Sequence, residues 1–60
     1  MKNIDILINS LENKITNAFI NYKESFKWYV IYIKFPHTTE VFIITKDVCE
    51  DNIRLIKREK

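Results

Sequence analysis

Sixty residues make one domain, because a chain this short hides only about 60% of its unfolded surface and cannot divide into two cores. Apolar residues reach 47% and charged residues 30%, a globular balance that argues against a disordered chain. The formal net charge of +2 argues against an acidic nucleic-acid mimic.

A core this small barely offsets the conformational entropy of ordering the chain, so stabilisation from outside is expected. Disulfides cannot supply it, since Cys49 is the only cysteine, and one His beside one Cys makes a poor metal site. Oligomerisation remains. The absence of Gly, the single Ala18 and the abundance of Ile, Asn and Lys suggest an AT-rich coding genome, common in low-GC bacteria and their phages and plasmids.

From Ile4 to Tyr22, the apolar residues Ile4, Ile8, Leu11, Ile15, Ala18 and Tyr22 alternate spacings of four and three, which predicts an amphipathic helix. Asn3 is the expected N-cap, and Asp5 suits the positive end of the helix dipole. The stripe covers under three heptads, so a helix lying on a sheet is favoured over a coiled coil. Asn9, Asn13, Asn17 and Asn21 fall at i, i+4 spacing and are read as a solvated flank rather than a recognition ladder.

Phe26–Phe35 and Thr38–Thr45 are rich in β-branched and aromatic residues, with Pro36 and His37 between them, and predict a β-hairpin. Without glycine a tight primed turn is disfavoured, and a four-residue connection, Pro36–Thr39, suits the sequence. That register sets Phe35 opposite Glu40, Ile33 opposite Phe42 and Ile31 opposite Ile44. Tyr29, Ile31, Ile33, Phe35, Phe42 and Ile44 then share one face, the expected core. The other carries Phe26, Trp28, Val30, Tyr32, Val41 and Ile43 with Lys34 and Thr45. The hairpin is therefore apolar on both faces.

Asp47–Lys60 predicts a second helix, with Asp47 and Glu50 in a capping-box spacing, Glu50–Arg54 as an i, i+4 pair, and Arg54, Lys57, Arg58 and Lys60 at the dipole's negative end. Cys49, Ile53 and Ile56 supply a narrow inward stripe flanked by Val48 and Leu55. The expected fold class is thus α+β in the order α-β-β-α: one domain over 1–60, with an antiparallel hairpin packed against an N-terminal and a C-terminal helix. Pairing of hairpin edges across a two-fold axis would give a four-stranded sheet in a homodimer.

Little in the chain points to catalysis. His37 and Glu40 give the only His-x-x-acid spacing, but both sit at the hairpin turn with no further ligand or acid beside them. Cys49 lies on the apolar stripe with no His after it, and Ser10 and Ser25 lack a matching base. A chain without glycine has no phosphate-cradling loop. No catalytic residue, metal or cofactor is expected, and no small-molecule substrate.

The second hairpin face, centred on Trp28, Val30, Tyr32 and Ile43 with Lys34 at its rim, is the expected partner-binding surface. Aromatic anchors within a polar rim are the usual composition of protein-interface hot spots. The leading expectation is a non-enzymatic interaction module, a homodimer, that binds and inhibits a larger host protein, in the setting of a phage or other mobile element. The alternative is a small nucleic-acid-binding regulator using Lys27, Lys34, Arg54, Lys57 and Arg58 with the hairpin aromatics as stacking platforms. Charge tempers that alternative, because residues 26–46 carry only +2, from Lys27, Lys34 and Lys46 against Glu40, and the segments on either side balance. Asp5 interrupts the N-terminal apolar stretch, and the longest wholly apolar run, Trp28–Ile33, falls far below the roughly 18 residues a membrane span needs. A cytosolic location without membrane association is expected.

Overall fold

The computed structural model describes residues 2–58. The elements run α1 (Asn3–Lys14), β1 (Phe19–Glu24), β2 (Trp28–Lys34), β3 (Thr39–Thr45) and α2 (Lys46–Arg58), an α+β fold whose central hairpin packs against helices from both ends of the chain. The three strands form one antiparallel sheet in the order β1-β2-β3.

The third strand departs from the expected single long helix over Ile4–Tyr22. α1 stops at Lys14, Ile15 turns extended while its N–H still donates to the Leu11 carbonyl at 2.8 Å, and Asn17 takes φ 61°. Asn is among the few non-glycine residues that tolerate this left-handed geometry, which a β-branched residue would resist. Asn17→Val is therefore expected to cost about 1–2 kcal/mol in urea denaturation and Asn17→Gly little; equal losses from both would deny the turn its role. Beyond it, Ile20 and Tyr22 point inward while Phe19, Asn21 and Lys23 point outward, a period of two in place of 3.6. The Asn row is accordingly broken, with Asn9 and Asn13 on α1, Asn17 in the turn and Asn21 on β1. A two-stranded hairpin alone is marginal in water, so the added strand contributes pairing as well as core.

The hairpin forms with its register two residues from the expected one. Ile31 lies opposite Phe42, Ile33 opposite Glu40 and Tyr29 opposite Ile44, and the strands end at Lys34 and Thr39, leaving Phe35–Thr38 as the connection in place of Pro36–Thr39. The Phe35 N–H donates to the Thr38 carbonyl at 2.8 Å. A shift of two preserves side-chain facing, so the assignment of residues to faces stands.

Both helices lie on the same side of the sheet. Ile4 and Ile8 of α1 and Cys49 and Ile53 of α2 are buried in one cluster with Ile20, Tyr29, Ile31 and Ile33, strand residues that all project to that side. The result is a two-layer slab, 32 × 30 × 16 Å across its Cα atoms, whose thin dimension is one helix layer over one sheet. The expected inward stripe Cys49, Ile53 and Ile56 faces this core, while Val48 and Leu55 stay exposed.

The helix ends are built differently from their expected caps. Lys2, not Asn3, occupies the N-cap of α1, and its carbonyl accepts the N–H groups of Asp5 and Ile6 at 3.0 and 3.3 Å. At α2 the Thr45 hydroxyl, not Asp47, caps the first turn by accepting the Val48 N–H at 3.1 Å, as β3 runs directly into the helix. Arg54 pairs with Asp51 at 3.6 Å rather than with Glu50. Residues 59 and 60, the end of the expected second helix, lie outside the described region, and Lys60 with them.

Glu24, at the end of β1, ties the starts of both helices to the sheet. Lys46 donates to its Oε2 at 2.8 Å and Lys2 to its Oε1 at 3.3 Å. The Lys46 and then the Lys2 hydrogen bonds hold the Glu24 carboxyl below its ordinary range. Beside it the Tyr22 hydroxyl donates to Asp5 Oδ1 at 3.3 Å, and the Tyr22 and Tyr29 rings meet edge to face with centroids 5.8 Å apart.

Candidate interaction surface

With both helices on one side, the opposite face of the sheet has no layer over it among the described residues. It is made by alternate residues of three strands: Phe19, Asn21 and Lys23 from β1, Trp28, Val30, Tyr32 and Lys34 from β2, and Thr39, Val41, Ile43 and Thr45 from β3. Cross-strand pairing sets Val30 against Ile43 and Tyr32 against Val41, and Trp28 stands two residues from Val30 at the end nearest α2. These five residues form a continuous apolar surface across β2 and β3. Trp28 is 47% exposed, Val41 53% and Ile43 66%, and Val30 and Tyr32 are half-buried between their neighbours.

The β1 side of this face is polar and cationic. Lys23 Nζ lies 5.9 Å from the centre of the Tyr32 ring, within cation–π range, and Asn21, Lys23, Tyr32 and Lys34 border a shallow open depression. At the far corner Phe19 stands opposite Lys34 and is 71% exposed. The face thus grades from aliphatic and aromatic on β3 and β2 to basic on β1.

All five expected partner-binding residues, Trp28, Val30, Tyr32, Lys34 and Ile43, are brought together here. Phe26, expected on the same face, sits instead in the β1–β2 turn and is 88% exposed. Val41 belongs at the centre of the patch, as its position on the hairpin already implied. Phe19, Asn21 and Lys23 join it only because β1 exists, and the signal was the alternation of Ile20 and Tyr22 with Asn21 and Lys23.

The basic residues of the nucleic-acid alternative do not gather. Lys34 is on the outer face and Lys27 in the β1–β2 turn, where its carbonyl accepts the Lys46 N–H at 3.0 Å. Arg54, Lys57 and Arg58 belong to α2, in the helix layer on the other side of the sheet. There Arg54 and Lys57 border a depression that also contains Glu50.

His37 is exposed in the β2–β3 connection, and Cys49 is buried at 1% exposure among aliphatic side chains. Burial, helped by the neighbouring Glu50, pushes the Cys49 thiol up from its ordinary pKa, which disfavours the reactive thiolate. Among the described residues no group of three His, Cys, Asp or Glu side chains is placed to hold a metal ion, and no helix is long and apolar enough to cross a membrane. The chain matches no family model, no curated protein and no solved structure.

Proposed function

We propose that this chain is a non-enzymatic protein-interaction module that binds a larger host protein through the outer face of its sheet and inhibits it. The observation that carries this reading is the bare second face: Trp28, Val30, Tyr32, Val41 and Ile43 form one apolar surface on the side of the sheet that neither helix covers. Monomeric proteins rarely leave a contiguous apolar patch of this kind to water, and the aromatics Trp28 and Tyr32 within it, with Lys23 and Lys34 at its edge, have the make-up of a binding hot spot. Inhibition by occlusion fits a slab with little room for chemistry of its own. A cytosolic setting, drawn from Asp5 within the N-terminal apolar stretch and the short apolar run Trp28–Ile33, and a phage or other mobile element, drawn from composition, are part of the same proposal.

A photo-crosslinking residue placed at Ile43 tests the surface in extract of the native host. One discrete adduct heavier than two copies of this chain is expected from Ile43, and none from Leu55, which is 58% exposed against 66% for Ile43 but lies on α2. Equal labelling from both positions would overturn the assignment.

The second reading draws on one specific observation, the Lys23–Tyr32 contact beside Lys34, which resembles a stacking platform with a cationic border. In that case DNA or RNA binds at low salt and loses affinity steeply as salt is added. Protein docking through the apolar patch predicts no such binding.

A further inference from the structure

We infer that two copies of this chain join through the free edge of β3, in antiparallel register centred on Phe42, to make one continuous six-stranded sheet. The inference goes beyond the outer face and does not depend on what that face binds, because edge pairing leaves the outer faces of both copies side by side and open.

The backbone sets the first condition. Hydrogen bonds from Phe35 N–H to Thr38 O and from Lys46 N–H to Lys27 O fix the ladder between β2 and β3, so the residues of β3 whose N–H and C=O turn toward β2 are Glu40, Phe42 and Ile44. Those of Thr39, Val41, Ile43 and Thr45 turn outward, with no strand beside them among the described residues. A row of four outward residues is a template that only another strand completes.

The second condition is sequence. A two-fold axis at Phe42 places Thr39 opposite Thr45 of the second copy, Val41 opposite Ile43, and Phe42 opposite itself. Each outward residue then exchanges both its hydrogen bonds with a partner of its own kind, and no like charges meet, since Glu40 is the only charged residue on β3 and lies across from Ile44. The edge also lacks the usual devices against pairing. Thr39–Thr45 contains no Pro, Lys or Arg, whereas the opposite edge strand, β1, carries Lys23 and Glu24.

The third condition is room. On the helix side of β3 the two helices leave an apolar groove bordered by Leu7, Leu11, Ile15, Phe42, Ile44 and Asn52, and Phe42, though on the core side of the sheet, remains 50% exposed. Pairing across Phe42 closes the grooves of the two copies against each other. A seven-residue strand is about 24 Å long, and with a slab 16 Å thick the contact covers on the order of 400 Å² per copy. Over both copies that is about 800 Å², below the standard size of specific interfaces and in the class of weak, transient ones, so the pairing is expected at high protein concentration.

Light scattering after size exclusion at about 0.1 mM tests the dimer. The expected mass is twice the 7.3 kDa of the chain, and a mass of 7.3 kDa would overturn the inference. Val41→Pro removes an outward N–H without touching the β2–β3 ladder, so it is expected to give a folded monomer by far-UV circular dichroism. A folded Val41→Pro dimer would rule out the β3 edge. Register is tested independently of that variant. In a non-hydrogen-bonded pair the two Phe42 Cα atoms lie about 4.5 Å apart, within disulfide range, whereas the two Glu40 Cα atoms are offset along the strands by about 14 Å. Phe42→Cys should cross-link on mild oxidation and Glu40→Cys should not; cross-linking of Glu40→Cys alone would sink the register. Trp28→Ala is expected to leave the dimer mass unchanged, which separates failure of the edge from failure of the outer face.

Discussion

Replacing Ile31 by alanine is expected to remove about half the stability of the domain or more. Ile31 is 3% exposed at the middle of the central strand, with Tyr22 on one side of it, Phe42 on the other, and the helix layer above. Truncating a buried isoleucine costs about 2–5 kcal/mol, from lost transfer energy and the cavity left behind. Domains carry about 0.05–0.15 kcal/mol per residue, or roughly 3–9 kcal/mol for a chain of this length, so one such cavity consumes much of the margin. Urea denaturation followed by far-UV circular dichroism measures it, with Leu55→Ala as the control. Leu55 is 58% exposed on α2, and its loss should stay within about 0.5 kcal/mol. Equal midpoints for the two variants would mean that the core does not lie between the helices and β2.

Trp28→Ala is expected to do the opposite: to weaken partner binding by about 30-fold or more, the 2 kcal/mol of a hot-spot aromatic, while leaving the fold largely intact. The reason is position. Trp28 opens β2 on the face without helices and is 47% exposed, so its removal opens no internal cavity of the kind left at Ile31. Isothermal titration against the cross-linked partner, beside a denaturation curve of the same variant, separates the two effects. Loss of folding with the mutation would make Trp28 a core residue. Unchanged affinity would remove it from the binding surface.

The contrast between Ile31 and Trp28 was legible in the sequence to an unusual degree. A period of two along Trp28–Lys34 assigns odd and even residues to different faces whatever the exact register, and a slip of two residues, as found here, leaves that assignment intact. The same period, carried through Thr39–Thr45, placed Ile43 beside Val30. Within β2 and β3 the two faces were already sorted, Phe26 in the turn being the exception, and the helices cover the face expected as core.

The segment after Lys14 shows where local reading fails. Ile15, Ala18 and Tyr22 continue the spacing of a helix, while Phe19, Ile20 and Tyr22 fit a strand equally well, and short apolar runs satisfy both periods. What decides between them is not local. Tyr22 and Ile20 gain cross-strand neighbours in Ile31 and Ile33 and cover the free edge of β2, and Asn17 makes the reversal affordable. Phe19, Asn21 and Lys23 reached the outer face through that choice alone.

By itself, then, the sequence determined that a helix opens and closes the chain, though not that the first ends at Lys14, and it determined the hairpin and the two-sided apolar character of its strands, because these rest on local periodicity. Tertiary structure decided the third strand, the caps at Lys2 and Thr45, and the placing of both helices on one side of the sheet. That last choice depends on how α1 and α2 pack together with Ile20, Ile31 and Ile33, a contact between segments distant in the chain. It turns the face around Trp28 from a second core into a surface.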